Sequence, residues 1–254
     1  MILGFIGTGK ISSSIIYGIF NSKLKVKKIY ISSRNRNIAK KIAKKFQAVK
    51  IINNNQEIID KSSTIILAVT PNVGNKILSS LKFSKSKRII SLISTMNLDK
   101  LKKITKNKNI TRAIPLPSVE INKGPIVICP PDKQTKKLFK HLGKVIEINN
   151  EKLSYKFWST SSIMATFYEI LNISSKWLTK NGIKKNIANN YIAELFLSLS
   201  QDAINKQSQG FEKLVKDSQT PKGLNAQVLK ELQKGKVYSK FFKALDNVNK
   251  RVSR

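Results

Sequence analysis

Two short stretches hold residues whose types and spacing could do chemistry. The first is Gly7-Thr8-Gly9, set between the apolar run Met1–Ile6 and the helically spaced Lys10–Phe20. A glycine turn between a strand and a helix is the context in which Gly-x-Gly reads as a dinucleotide-binding turn. Gly7 permits the tight turn. Gly9 lets the backbone approach a pyrophosphate, whose charge meets free amides at the helix N-terminus. The third small position holds Ser12 rather than Gly or Ala. The second stretch is Thr220-Pro221-Lys222-Gly223-Leu224-Asn225, a Pro-x-Gly turn followed by helical spacing. The amides of Gly223, Leu224 and Asn225 at that helix start suit a small carboxylate.

The end of the second predicted strand bears on which dinucleotide would fit. Non-phosphorylated cofactors are usually held by an Asp or Glu roughly 20 residues past the glycine turn. Here the stretch is Ser32-Ser33-Arg34-Asn35-Arg36, without an acid. A carboxylate would repel a 2′-phosphate, whereas Ser33 and Arg34 would bind it. This favours NADP, with NAD possible. The alternative is a solvated loop in which Ser33 only caps a helix.

These residues need elements to position them. Strands are expected at 27–32, 48–52, 64–69, 88–93, 109–114, 126–129 and 144–148, with helices at 35–46 and 132–142 between them. The continuous apolar runs, such as Thr64–Val69, are of the kind buried on both faces of a parallel sheet. The alternation implies an α/β, doubly wound sheet with ligands at the carboxyl ends of its strands. After Asn149-Asn150 no strand-like stretch remains. Helices are expected over 155–178, 187–204 and 224–232. The division is therefore 1–150 for a dinucleotide-binding domain and 151–254 for an all-helical one. The helices carry apolar residues on more than one stripe, including Trp158, Tyr168, Ile170 and Trp177. So much apolar surface on about a hundred residues predicts a homodimer interface; the alternative is an ordinary intrachain core.

Composition excludes several classes. The net charge of +34 comes from 48 Lys+Arg against 14 Asp+Glu, spread along all 254 residues. No basic arm or aromatic-studded basic strand stands out, so no specific nucleic-acid partner is expected. No apolar run is long enough to span a membrane. Met1 leads directly into strand residues, which predicts no leader peptide. Cys129 is the only cysteine and His141 the only histidine. A reducing, cytoplasmic setting is expected, with no metal site and no Ser-His-Asp triad.

The chain resembles the pyrroline-5-carboxylate reductase family. The resemblance rests on the order of Gly7-Thr8-Gly9, Leu67-Ala68-Val69-Thr70-Pro71, Ile90-Ser91, Arg112-Ala113-Ile114-Pro115, Gly124, and Leu214 with Asp217 before Thr220-Pro221-Lys222-Gly223. It runs over essentially the whole chain. It implies an N-terminal Rossmann domain, an all-helical dimerisation domain, and NAD(P)H-dependent reduction of a cyclic imine to proline. Carried over by position, Gly7, Thr8, Gly9, Lys10, Ile11 and Ser12 would hold the pyrophosphate. Ser33 and Arg34 would hold the 2′-phosphate, and Asn55 would lie near the adenosine ribose. Ala68, Val69, Thr70 and Pro71, with Ile93, Ser94 and Thr95, would line the nicotinamide side. Thr220, Gly223, Leu224 and Asn225 would hold the substrate carboxylate and ring, with Thr220 and Asn225 nearest the chemistry. The family's Ala-Val-Lys-Pro is Ala68-Val69-Thr70-Pro71 here, and its Asn after Pro115 is Leu116. Its substrate loop is changed at Lys222, Leu224 and Asn225.

The implied chemistry suits a site poor in acids and bases. A cyclic imine can already be protonated near neutral pH, so the protein must supply alignment and a carboxylate clamp. Asn225 could hydrogen-bond the imine nitrogen or another polar group. Lys222 could pair with the carboxylate or be one more solvated lysine. The changed loop leaves open an NADP-dependent reductase of another small imino or oxo acid. A non-catalytic dimer that binds nucleotides or polyanions is the third reading.

Overall fold

The structure, a computed structural model, describes residues 1–253. The chain alternates β1(Ile2–Ile6), α1(Lys10–Asn21), β2(Lys28–Ser32), α2(Arg36–Lys45), β3(Val49–Ile52), α3(Asn55–Lys61), β4(Thr64–Leu67), α4(Pro71–Leu78), β5(Arg88–Ser91), α5(Leu98–Thr105) and β6(Ile110–Ile114). A 3₁₀ turn (Pro117–Ile121) leads to β7(Pro125–Cys129), α6(Lys133–Phe139) and β8(Lys144–Glu147). The strands form one sheet in the order β3-β2-β1-β4-β5-β6-β7-β8. The expected doubly wound sheet is present, and its chain reversal lies between β1 and β4.

The apolar runs are explained by what covers them. Leu3, Phe5, Ile29, Ile31, Ile66 and Ile90 pack on one face with Ile15, Ile16 and Ile19 of α1. Ile6, Ile65, Leu67 and Ile89 pack on the other with Ile58, Ile59, Leu78 and Leu101. Successive strand residues point to opposite faces, so a strand covered on both sides must be apolar throughout.

Two strands run against the expected direction: β7 pairs antiparallel to β6, with Ala113 opposite Ile128, and β8 follows β7 in parallel. A parallel return needs a crossover of a dozen or more residues. Residues 115–124 are fewer, and the chain spends them on the 3₁₀ turn tied to α1. There Asn122 Nδ2 donates to the Gly18 carbonyl at 2.8 Å and Asn21 Nδ2 to the Glu120 carbonyl at 2.8 Å.

Contacts divide the chain into a first unit, residues 1–159 with 249 onward, and a second, residues 160–248. The division after residue 150 is thus too early. The next helix, α7(Glu151–Ser161), belongs mostly to the first unit because Glu151 pairs with Arg112 of β6 at 2.7 Å. The single helix expected over 155–178 is also broken. It resumes as α8(Met164–Lys180) after a turn at Ser162-Ile163. The run Ser159-Thr160-Ser161-Ser162 explains the break, since hydroxyl side chains compete for backbone hydrogen bonds.

In the second unit α8 packs on α9(Lys185–Lys206) across a turn in which Gly182 has φ +90°. Ser175 Oγ donates to Asn189 Oδ1 at 2.6 Å, and Phe167 meets Phe196 edge-on. Three helices follow: α10(Phe211–Asp217), α11(Leu224–Lys234) and α12(Val237–Val252). Little of this unit's apolar surface is covered: Tyr191, Phe211 and Phe242 are exposed, and Trp177 is 66% exposed. Among the described residues no helix is long and apolar enough to cross a membrane.

Asp132, the cap of α6, gives the first unit a measurable pH dependence. Burial alone would raise its pKa, but hydrogen bonding to Thr135 and pairing with Arg88 hold it below the usual carboxylate range. A depressed folded pKa stabilises above the unfolded value, about 3.9, and that contribution is lost as pH falls through the folded value. Asp132→Ala is expected to cost about 1 kcal/mol at pH 7. In urea titrations the gap between variant and wild type should close below about pH 4.

Candidate active site

The glycine turn is built as a tight junction of three elements. Gly7 has φ +102°, and a Cβ there would sit 2.5 Å from the Ala68 carbonyl oxygen at the end of β4. The Gly7 amide donates to Ser32 Oγ at 3.0 Å, and Thr8 Oγ1 donates to the Ser32 carbonyl at 2.6 Å. Ser12, in the third small position, turns back so that its Oγ donates to the Gly7 carbonyl at 2.7 Å. Thr8 and Ser12 therefore hold the loop with their side chains and offer a ligand only their amides.

What the junction leaves free is the start of α1. Gly9 is its cap, with no side-chain cap bond and no acid in the first turn. A Cβ at Gly9 would meet nothing within 4 Å. The first intrahelical bond of α1 runs from Ser13 to the Gly9 carbonyl, so the amides of Lys10, Ile11 and Ser12 precede the helical ladder. The Ile11 side chain packs into the core and contributes only backbone.

An open cleft of about 610 Å³ lies over this turn, lined by Gly7, Thr8, Gly9, Arg34, Asn35, Arg36, Asn37, Ala68, Val69, Thr70 and Val73. A smaller adjoining hollow of about 130 Å³ brings Ser33, Arg34, Asn53 and Asn55 together with Gly7. No carboxylate lines either space. The cap of α2 is Asn35, whose side chain accepts from the Ile38 amide at 3.4 Å. Ser33 is thus not the helix cap and stays on the cleft side. Arg36, the first residue of α2, adds a second guanidinium beside Arg34. Its spacing two residues from Arg34, at the helix start, was the sequence signal for it. The set suits a phosphorylated dinucleotide: a cradle closed to side chains, free amides over open space, and two cations where a 2′-phosphate would lie.

Thr70 caps α4 and Pro71 opens it, which brings Ala68, Val69 and Thr70 to the cleft wall. Ile93, Ser94 and Thr95 are not on that wall. Ile93 is buried in the core, the Ser94 carbonyl is engaged by Arg112, and Thr95 is exposed. The contiguous apolar stretch ending in Ile93 continues the strand's core-facing pattern, which explains its burial. His141, beyond the end of α6, does not line the cleft.

The Thr220–Asn225 turn stands in the second unit. The Gly223 amide donates to the Thr220 carbonyl at 2.8 Å, and Lys222 has φ +59°. With Pro221 second and a left-handed residue third, this is a type II turn whose third position favours glycine. Thr220, Pro221 and Lys222 line an open cleft of about 580 Å³ with Lys216 and Lys230. Gly223 caps α11 without a side-chain bond, so the first-turn amides stay available. Asn225 Nδ2 donates to the Ser218 carbonyl at 2.9 Å, leaving Oδ1 as an acceptor, and Leu224 is 80% exposed.

A buried ionic cluster was not legible as a site. Arg112, 1% exposed, donates from Nη1 to Glu151 Oε1 and from Nη2 to the Ser94 carbonyl, both at 2.7 Å. Its guanidinium lies 5.0 Å from the Tyr155 ring and 5.9 Å from the Trp158 ring. Burial pushes the Tyr155 phenol and the Cys129 thiol up, so both stay neutral beside this pair.

Residues 2–98 match the family NADP oxidoreductase coenzyme F420-dependent, and residues 157–254 match the family pyrroline-5-carboxylate reductase dimerisation. A pyrroline-5-carboxylate reductase from Synechocystis is 25% identical over 154 residues, 58% of this chain and 58% of that protein. The chain thus aligns with little more than half the length of that curated relative. A pyrroline-5-carboxylate reductase structure from Streptococcus pyogenes superposes with a TM-score of 0.86 at 22% identity, covering 99% of this chain and 98% of that one. A pyrroline carboxylate reductase from Plasmodium falciparum, solved with NADP bound, gives 0.85 at 22% identity over 99% and 97%. At these identities the structures establish the shared fold.

Gly7 and Lys222 both hold left-handed backbone, with opposite consequences for substitution. Gly7→Ala meets the Ala68 carbonyl and is expected to lower the unfolding free energy by about 2 kcal/mol. Lys222→Gly relieves a conformation costly for a side chain and is expected to raise it by up to about 1 kcal/mol. Urea denaturation of the two variants beside wild type checks both signs.

Proposed function

We propose that the chain, whose residues 157–254 match the pyrroline-5-carboxylate reductase dimerisation family, is an NADPH-dependent imine reductase that converts a small cyclic imino acid to proline. The observation that carries this reading is the acid-free cleft over the glycine turn with Arg34 and Arg36 at its rim, in a chain whose residues 157–254 match the family's dimerisation domain.

NADPH, when bound, supplies the hydride. The amides from Thr8 to Ser12 would hold its diphosphate at the start of α1, the Gly7 amide being spent on Ser32 Oγ. Ser33, Arg34 and Arg36 bind the 2′-phosphate, with Asn55 beside the adenosine ribose. Ala68, Val69, Thr70 and Pro71 flank the nicotinamide side. The amides of Gly223, Leu224 and Asn225, with Thr220, clamp the substrate carboxylate at the start of α11, and Lys222 adds charge. Asn225 Oδ1, kept outward by the Nδ2 bond to Ser218, accepts from the protonated ring nitrogen. The iminium carbon takes the hydride and the nitrogen keeps the proton it already carries, so no side-chain acid is required. The changed turn at Lys222, Leu224 and Asn225 favours a second reading, reduction of another small imino or oxo acid by the same cofactor site.

The exposed apolar surface of α8 to α12 supports a homodimer formed through these helices. The lone buried thiol of Cys129 suits a reducing compartment, and we place the protein in the cytoplasm.

Purified protein is expected to oxidise NADPH with pyrroline-5-carboxylate. Asn225→Ala should lower kcat/KM by about tenfold to a hundredfold, the worth of one hydrogen bond to a charged group, with the NADPH Kd within about twofold. Turnover with other cyclic imines or keto acids alone would favour the second reading. For assembly, Trp177 emission should shift on dilution while Trp158 emission stays constant, because the Trp158 indole nitrogen is already buried. A chain that sediments as a monomer at micromolar concentration would refute the dimer.

A further inference from the structure

The Arg112–Glu151 pair closes a ring around the loop between β5 and α5. Arg112 Nη2 donates to the Ser94 carbonyl at 2.7 Å, and Nη1 to Glu151 Oε1 at 2.7 Å. The same Glu151 oxygen accepts from the Leu98 amide at 2.8 Å. Residues 94–98 are thus gripped at both ends by one ion pair whose members come from β6 and α7. The loop in turn backs the cleft wall. Gly74 of α4 sits where an added Cβ would meet Ile93 Cδ1 at 3.1 Å, Met96 Sδ at 3.3 Å and Val69 Cγ2 at 3.5 Å. Val69 and Val73 line the large cleft. Ile93 and Met96 share a core cluster against which Val69 packs, so packing is continuous from the gripped loop to the wall assigned to the nicotinamide.

We propose that Arg112 and Glu151 are positioning residues that set the nicotinamide side of the cleft by holding residues 94–98 against α4. The proposal rests on the cofactor reading above. Three features favour a positioning role over a purely structural one. An isolated pair of apolar residues would fill the same volume without the cost of burying two charges. Both charges spend their hydrogen bonds on the backbone of a single loop. That loop follows the carboxyl end of β5, the edge of a doubly wound sheet where ligands sit. The diphosphate and 2′-phosphate contacts are made elsewhere, by Thr8–Ser12 and Arg34, and do not pass through this ring.

The expected signature is therefore a split. Loosening the ring misplaces the nicotinamide while the phosphates stay anchored, and displacement of about 1 Å can cost on the order of a hundredfold in rate. The test uses Arg112→Lys, which cannot bridge Ser94 and Glu151 through two forked nitrogens, and the near-isosteric Glu151→Gln, which keeps the shape should the lysine variant fail to fold. Two quantities are read by NADPH fluorescence, the Kd and the emission enhancement of the bound nicotinamide; neither needs the imine substrate. The expected result is a Kd within about twofold of wild type with at least half of the enhancement lost. With pyrroline-5-carboxylate, kcat should fall tenfold or more, and the deuterium isotope effect from 4-deuterated NADPH should rise as hydride transfer becomes limiting. Folded variants with unchanged emission and isotope effect, or with Kd weakened in step with emission, would overturn the positioning role. Wild type that takes up no NADPH would instead sink the underlying cofactor reading before any variant is made.

Discussion

At Gly7 the backbone turns out of the first strand so close to the Ala68 carbonyl that no side chain fits between them. The rest of the site depends on that approach. It joins the ends of β1 and β4, the two strands between which the sheet reverses its order. Ser32, Thr8 and Ser12 then lock the turn through hydrogen bonds, and no side chain caps the start of α1. The helix N-terminus is consequently uncapped by the protein and open to an anion. Its partial positive charge and its unspent amides act on the same spot, which is why a diphosphate suits it.

The work of recognition is divided along the chain. The first unit holds the residues proposed to bind phosphate, and the second holds the Thr220–Asn225 turn. Neither place carries a general acid, and the chemistry of a protonated imine asks for none. The departures at Lys222, Leu224 and Asn225 fall in the turn proposed to hold the substrate, while the glycine turn keeps the residues its geometry demands. Lys222 occupies a left-handed position that glycine fills more easily, so its side chain is retained there against a backbone cost.

Much of this was legible in the residues because the causes are local. Continuous apolar runs announce strands covered on both faces, and a glycine turn between strand and helix announces its own geometry. The features that were not legible have non-local causes. The reversed direction of β7 follows from how residues 115–124 dock on α1. The allegiance of α7 follows from one ion pair between residues 39 positions apart. Arg112 stood in a stretch that carried the resemblance, but nothing in the sequence marked it as the one fully buried cation among the described residues. The sequence offered Ser33 as a helix cap, and the structure gives that place to Asn35, whose side chain accepts from the Ile38 amide. Ile93 to Thr95 follow the carboxyl end of β5, and nothing in their residue types showed that Ile93 would turn into the core.

The most direct test of the central claim is calorimetric titration of the wild-type protein with NADPH and with NADH at one ionic strength. The account predicts saturable uptake of NADPH at micromolar concentration, and at least about tenfold weaker uptake of NADH, since a charge-assisted contact to the 2′-phosphate is worth roughly 1.5–3 kcal/mol. Equal affinity for the two would remove Arg34 and Arg36 from cofactor recognition. No heat from either nucleotide at millimolar concentration would contradict the cradle itself.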